Sequence, residues 1–430
     1  MVKNHKSIIA LGIAILAAGV SPHALAGGFM LQEQSQLEIG RAFSGAAAAA
    51  DDPSILFYNP AGMTELPGIQ ISTGATALFI DARQQDLGTT RTGPGATPTL
   101  PVGGGTGGNP FAAIVPIPTS FASAQVSDRL WLGLGLSAPF GLKLRYQDDF
   151  FGRFDSTYSN LLTLDGQLSA GYRLNDAISF GGGINVQYAS GTLSSAMPAL
   201  TPGGTDGLNS MKADDVSLGW NAGVHVRLPG NVHVGLGYRS RVKHELKGDY
   251  HWQLGGTVRD FGVRSPITLP DMLTIGIKVP LDGRTSLMAS GRYYGWSSFD
   301  ALRLRFSTGS TGTRDFKYRD SWSLSAGLDH RLSDKITVRG GAMFDRTPTN
   351  PSFLSTRVPD GNRTWASAGL SYGLSDHMTL NASYAHVFIS KQDLVRTDSF
   401  YSGATLMMAT TRARSSGNVD MLAASVTARF

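Results

Sequence analysis

Side chains that could do chemistry are sparse in these 430 residues, and their spacing limits what they could do. There is no cysteine, so neither a disulfide nor a thiolate metal site can form. His225 and His233 flank a Pro229-Gly230 turn and could face each other across a hairpin. Two imidazoles without a third ligand are a poor match for zinc, so no metal is expected. His386 shares a strand face with Tyr384 and Phe388 and has no evident serine partner, and no His-Glu-x-x-His helix occurs. The chain reads as a non-enzyme, with no catalytic residue and no cofactor. Arg153, Arg227, Arg239, Arg292 and Arg363 could each hold a carboxylate, or serve as structural charges. The formal charge is +5, yet clusters such as Arg303-Leu304-Arg305 alternate with apolar residues instead of forming a run, which argues against a nucleic-acid partner.

The elements that would position these groups are strands. Only 16% of residues are charged, against roughly 25% in soluble proteins, and 53 are glycine. From Gly68 onward hydrophobicity alternates with period two. Ile178, Phe180, Ile184, Val186 and Tyr188 share one face, and Ser179, Gly181, Gly183, Asn185 and Gln187 the other. The stretches 216–227 and 321–331 repeat the pattern. A closed sheet with lipid outside and a hydrated interior explains this better than a sandwich. Short turns such as Asn175-Asp176, Pro229-Gly230-Asn231 and Asp282-Gly283 suit the periplasmic side. Longer connections, approximately 83–116, 146–160, 192–213, 249–265, 300–315, 348–360 and 392–418, would face outward. The segmentation predicts an all-β, 14-stranded antiparallel transmembrane barrel over residues 68–430.

The ends fit that reading. Lys3 and Lys6, the uncharged stretch Ile8–Val20 and Ala24-Leu25-Ala26 form a secretion signal over residues 1–26, with cleavage expected after Ala26. Residues 27–67 lack the period of two. Asp51-Asp52-Pro53 resembles a capped helix start, stopped at Asn59-Pro60, and the segment is too short to bury a core of its own. The chain closes on Phe430 after an alternating strand, as outer-membrane assembly signals do.

The set Gly28-Phe29, Gly40-Arg41-Ala42-Phe43-Ser44-Gly45, Asp51-Asp52-Pro53 and Asn59-Pro60-Ala61-Gly62-Met63 resembles the N-terminal hatch of the FadL family of outer-membrane hydrophobic-compound transporters. Ala138-Pro139-Phe140-Gly141-Leu142, Gly152-Arg153, Leu269-Pro270-Asp271 and Val358-Pro359-Asp360-Gly361-Asn362-Arg363 resemble further patterns of that family. The resemblance covers essentially the whole mature chain. It implies a monomeric barrel plugged by residues 27–67, with Asn59, Pro60 and Ala61 in the hatch. It further implies substrate capture between extracellular loops, transfer to a site beside Phe29, and sideways exit at an irregular third strand holding Pro139, Phe140 and Gly141.

Lipopolysaccharide forms a polar layer that apolar molecules cross slowly, and exposing apolar surface to water costs about 25 cal/mol per Å². A transporter must therefore offer apolar contacts above that layer. Met197, Leu200, Leu208, Trp252, Leu254 and Phe261 are candidates for the outer groove, and strand parity turns Trp131, Trp296 and Trp365 inward, with Met272, Met288, Met343 and Met421. These residues could equally pack loops or the hatch. Pro139 cannot donate to a ladder, so irregularity there is either at the barrel rim or functional. The leading expectation is passive transport of long-chain fatty acids across the bacterial outer membrane. Aromatic or alkane hydrocarbons are the alternative cargo. A non-transporting adhesin or phage receptor, and an open porin, are the competing classes.

Overall fold

The computed structural model describes residues 28–92, 99–111, 114–201, 203–402 and 405–430. The expected signal sequence and its cleavage point lie outside the described residues. Fourteen strand staves close on themselves: β1 (Ile69–Asp86), β2 (Val115–Gln125), β3 (Leu130–Ser137 and Gly141–Arg145), β4 (Tyr158–Arg173), β5 (Ile178–Met197), β6 (Gly207–Leu228), β7 (Val232–Arg239 and Val242–Leu254), β8 (Thr257–Leu269 and Met272–Pro280), β9 (Thr285–Tyr294 and Ala301–Phe306), β10 (Thr311–Asp315 and Ser321–Arg331), β11 (Ile336–Asp345), β12 (Arg363–Ser375), β13 (Met378–Ser402) and β14 (Thr405–Arg429). Each stave pairs antiparallel with the next, and β14 returns to β1, with Gln70 opposite Arg429 and Asp86 opposite Ala413. No helix among the described residues is long and apolar enough to cross a membrane.

Parity sorts the side chains as a membrane barrel requires. Ile184, Leu218, Trp220 and Leu324 are 57%, 72%, 52% and 58% exposed, apolar groups that only lipid could accommodate in such number. Their neighbours Asn185, Gln187 and Ser323 are buried in the interior. Trp131, Met272, Met288, Trp296, Met343, Trp365 and Met421 are all buried.

Several expected outer loops are strand instead. β5 runs to Met197, β7 and β8 meet at Gly255-Gly256, and β13 and β14 each span 25 residues. Above the lipid an outer face need not be apolar, so the period-two signal fades although the backbone ladder continues.

The segment from Gly28 to Leu66 is almost wholly buried against the inner faces of the staves. It holds two single-turn helices, α1 (Gln36–Ile39) and α2 (Ile55–Tyr58), and a 3₁₀ turn Pro60–Glu65. α1 ends at Ile39, and the backbone turns away from a helical path at Ala42 and Phe43, which take positive φ of 51° and 61°. Asn59 fixes the turn: its amide donates to the Ala47 and Val224 carbonyls at 2.8 and 3.0 Å, and its oxygen accepts from Ala61 N. Inward glycines make the room. A Cβ at Gly235 would overlap the Ala47 carbonyl, and one at Gly237 the Tyr58 carbonyl. Charge adds to the fit, since buried Arg41 pairs with Asp51 and with Asp329 of β10, each at 2.7 Å.

Candidate functional site

At the end of the barrel away from the short turns, hairpins β5–β6, β7–β8, β9–β10 and β13–β14 enclose a cavity of about 880 Å³. Its walls include Leu193, Met197, Met211, Trp252, Phe261, Leu302 and Phe400, and it also meets Arg314, Arg357 and Arg396. Asp155, together with Asp398 at 3.4 Å from Arg314 and 3.3 Å from Arg396, neutralises two of these arginines. It is fully buried, ion-pairs with Arg314 and lies 3.7 Å from Arg396. It also accepts hydrogen bonds from Ser355 Oγ at 2.8 Å and Thr356 Oγ1 at 2.6 Å. Burial alone would raise its pKa, but Arg314, Arg396 and Arg357 outweigh that and hold the carboxyl below its ordinary range.

Arg357 is different. It is 5% exposed, and no carboxylate among the described residues pairs with it. Its guanidinium makes only long hydrogen bonds, to Tyr158 O at 3.3 Å and Ser159 Oγ at 3.4 Å. Burial, followed by the charge of Arg314, pushes its pKa down to about 9, so it still carries its charge at pH 7.

Arg357, Leu193, Met211 and Leu302 also line a second, smaller pocket of about 80 Å³, with Phe29, Leu142, Leu161, Leu246, Ile267, Phe299, Phe316 and Val358. Phe29 sits in a cage of rings, 4.7 Å from Trp296, 5.1 Å from Phe299 and 6.3 Å from both Phe140 and Tyr318, mostly edge to face. Gly28 N donates to Asp360 at 2.9 Å, which anchors the segment beside this cage.

The same segment borders a break in the wall. β3 leaves its ladder between Ser137 and Gly141, and β2 pairs with β3 only from Ser120 to Gln125. The freed backbone groups bond inward. Leu31 N donates to Pro139 O, Gly141 N to Phe29 O, Ala138 N to Gln34 Oε1, and Gln34 Nε2 to Ala138 O, at 2.8 to 3.1 Å. Phe140 N donates to Thr163 Oγ1 of β4 at 2.9 Å. The facing edge of β2 carries Pro116 and Pro118. Odd residues of β2 bond toward β1, as Gln125 N does to Gly68 O, so the two proline nitrogens face the break. That edge therefore lacks two of its donors.

A family profile for outer membrane protein transport proteins (OMPP1/FadL/TodX) matches residues 17–430. The chain belongs to this family. It is 27% identical over 424 residues to the long-chain fatty acid transport protein of Escherichia coli, spanning 89% of this chain and 92% of the relative. The corresponding protein of Salmonella typhi is 29% identical over 413 residues, with 89% and 91% covered. Among solved structures, a Pseudomonas aeruginosa FadL homologue superposes with a TM-score of 0.83 at 23% identity, covering 94% of this chain and all of that one. The Ralstonia pickettii toluene transporter TbuX gives 0.66 at 17% identity, covering 94% and 99%, a likeness of fold alone. This FadL-family member is thus an outer-membrane transporter of hydrophobic compounds and not an enzyme.

Within this FadL-family barrel the expected site residues separate into groups. Met197, Trp252 and Phe261 line the large cavity. Leu200 and Leu254 pack in the small apolar cluster behind it, with Phe154 and Phe400, while Leu208 is 38% exposed and faces away. Trp296 joins the Phe29 cage. Trp131 does not, for its Nε1 donates to Leu66 O at 2.8 Å and Arg173 stacks on its ring. Trp365 lies edge-on to Phe43, 5.9 Å away. Of the five arginines first considered, four pair with carboxylates, Arg153 with Asp206 at 2.9 Å, Arg239 with Asp165 at 2.6 Å, Arg227 with Glu65 and Arg363 with Asp360, while buried Arg292 donates to neutral Gln32 at 2.9 Å and lines neither of the two cavities. Arg357 was missed, although it directly precedes the family-like Val358-Pro359-Asp360. Gly369-Leu370-Ser371-Tyr372-Gly373 has the spacing of a hydrolase elbow, but it runs through the middle of β12. Ser371 there bonds to Arg339 and Asn381, not to a histidine.

Proposed function

We propose that the protein carries long-chain fatty acids passively across the outer membrane, and that Arg357 receives the carboxylate. The observation that carries this is a buried guanidinium with no carboxylate in ion-pair contact among the described residues, at the junction of an apolar-walled cavity and an apolar pocket. A fatty acid supplies the missing anion and the matching tail at once. A toluene-like molecule would leave the charge unpaired, at the cost that any buried lone ion bears.

The acyl chain first lodges between the outer hairpins, then passes along Leu193, Met211 and Leu302 into the pocket beside Phe29. Residues 27–67 act as the hatch. Filling the pocket shifts Phe29 and strains its hydrogen bonds to Gly141 and, through Leu31, to Pro139. The exit is the break at Pro139, Phe140 and Gly141, from which the chain slides sideways into lipid. Ligand occupancy is the only driving force the route needs.

The test is mass spectrometry of ligand extracted from the purified barrel, with uptake measured in a strain lacking its own fatty acid transporter. Bound C16–C18 acids and restored palmitate uptake are expected. Enrichment of hydrocarbons with no palmitate uptake would overturn the reading in favour of aromatic or alkane cargo.

A further inference from the structure

We propose that Glu65, His225 and His233 form a binding site for a divalent transition-metal ion of the zinc type, clipping the end of the N-terminal segment to the β6–β7 hairpin. The proposal is independent of what the barrel carries. One ligand atom from each of the three residues lies within 4.8 Å of the other two. They come from three elements: the 3₁₀ turn Pro60–Glu65, β6 and β7. Two imidazoles and one carboxylate are a set that zinc accepts readily, with water in the fourth position.

The geometry is close to formed. His225 Nε2 and His233 Nδ1 lie 3.0 Å apart. Two nitrogens at about 2.0–2.1 Å from a tetrahedral zinc would be about 3.3 Å apart. A few tenths of an ångström of opening between the imidazoles, with the Glu65 carboxylate drawn in from within 4.8 Å, would thus admit the ion. The tautomer of His233 is also set. Its Nε2 faces Asn231 Oδ1 at 3.1 Å, and that oxygen can only accept. His233 Nδ1 is therefore left with its lone pair, pointed at His225. Asn231 occupies a left-handed position, φ 57°, directly after Gly230 at φ 74°, so a tight turn spends its conformational freedom on holding this orienting oxygen. His225 is 1% exposed, and its Nδ1 has no hydrogen-bond partner. With His233 Nδ1 as acceptor, His225 Nε2 carries the shared proton in the metal-free site, and metal binding at Nε2 moves that proton to the unpartnered Nδ1.

The charges around the site set its strength. Arg227 ion-pairs with Glu65, and Arg173 lies 4.0 Å from the other carboxylate oxygen. Arg227 keeps Glu65 ionised, and with 42% of its side chain exposed it can turn outward as the metal enters from the periplasmic end. Lys278 is occupied by Asp51 at 2.9 Å. The two guanidiniums oppose a further cation, so the site is a modest binder rather than a buried structural zinc.

The experiment uses the full-length protein without a histidine tag, purified in detergent and stripped with chelator. Titration with Zn²⁺ by calorimetry should show one saturable equivalent. Co²⁺ in its place should give the intense visible absorption of a tetrahedral ion. His225→Ala and His233→Ala should each abolish both signals, and Asn231→Ala should weaken binding about 10- to 100-fold without removing a ligand. No saturable equivalent in the parent protein, or unchanged binding in both histidine variants, overturns the proposal. Should His225→Ala fail to fold, His233→Ala and Asn231→Ala, both at the turn end, decide the matter by the same readouts.

Discussion

Replacing Arg357 by methionine separates a carboxylate anchor from a structural arginine. The exchange keeps an unbranched, largely apolar side chain and removes the guanidinium. In the free protein the variant loses two hydrogen bonds of 3.3 and 3.4 Å, long enough to contribute little. It also loses the pull of Asp155 and Asp398 on this cation, which burial and the repulsion of Arg314 outweigh, so the charge is a net destabilising feature of the free protein. Thermal stability should therefore stay level or rise. In the complex, a charge-assisted hydrogen bond contributes about 1.5–3 kcal/mol, so palmitate should bind about 10- to 150-fold more weakly. The tail is untouched: each methylene still contributes about 0.8 kcal/mol. Hexadecanol, which has the same tail and no charge, should bind parent and variant alike. Calorimetry in detergent with the two ligands, and a melting curve for each protein, read all three quantities. Equal weakening for palmitate and hexadecanol, or a lower melting temperature with palmitate affinity unchanged, would refute the assignment.

Four further outcomes are expected. Phe29→Ala removes the centre of the ring cage, a loss of about 3–5 kcal/mol for a buried phenylalanine; hydrogen exchange at residues 29–34 and 138–141 should speed up, and parent-like protection would contradict the coupling. Gly235→Val or Gly237→Val should push the N-terminal segment off the wall and raise ion conductance in planar bilayers, whereas a parent-like closed barrel would show that the close approach is dispensable. Pro116→Thr with Pro118→Thr restores two amide donors to the open edge of β2 and should slow uptake of a fluorescent fatty acid, an idea that an unchanged rate would sink. Because the Asp155 carboxyl is held below its ordinary range, its stabilising contribution is complete above about pH 4 and fades as pH falls through the lowered value; protease cleavage of residues 346–362 should accelerate only in that acid window, and an onset near pH 6 would point to another group.

The barrel was legible because lipid and lumen impose opposite demands on adjacent residues. Ile184 and Leu324 stand beside buried Asn185 and Ser323 for that reason, and the turn-side ends of β5, β6 and β10 could be placed to within a residue or two. The upper ends of β5, β6, β13 and β14 were read as loops because no lipid enforces the alternation there. Arg357 was illegible for a different reason. Whether a buried arginine is free depends on which distant carboxylate reaches it. Asp155 meets Arg314 across 159 positions, and Asp165 meets Arg239 across 74. No local pattern encodes such pairing. Glu65 likewise meets the two histidines only because the 3₁₀ turn places it at the foot of β6. Trp131 and Trp365 were turned inward correctly by parity, yet parity cannot say at which height along the cylinder each one sits.

The two prolines beside the break have a consequence for the crowded surface this protein inhabits. A sheet edge inside a bilayer is a template onto which any passing strand, including one from a second copy, could add itself and seal the opening. With Pro116 and Pro118 in place, such an intruder would find two consecutive bonding positions without a hydrogen to offer. The opening thus resists becoming a seam between neighbouring molecules.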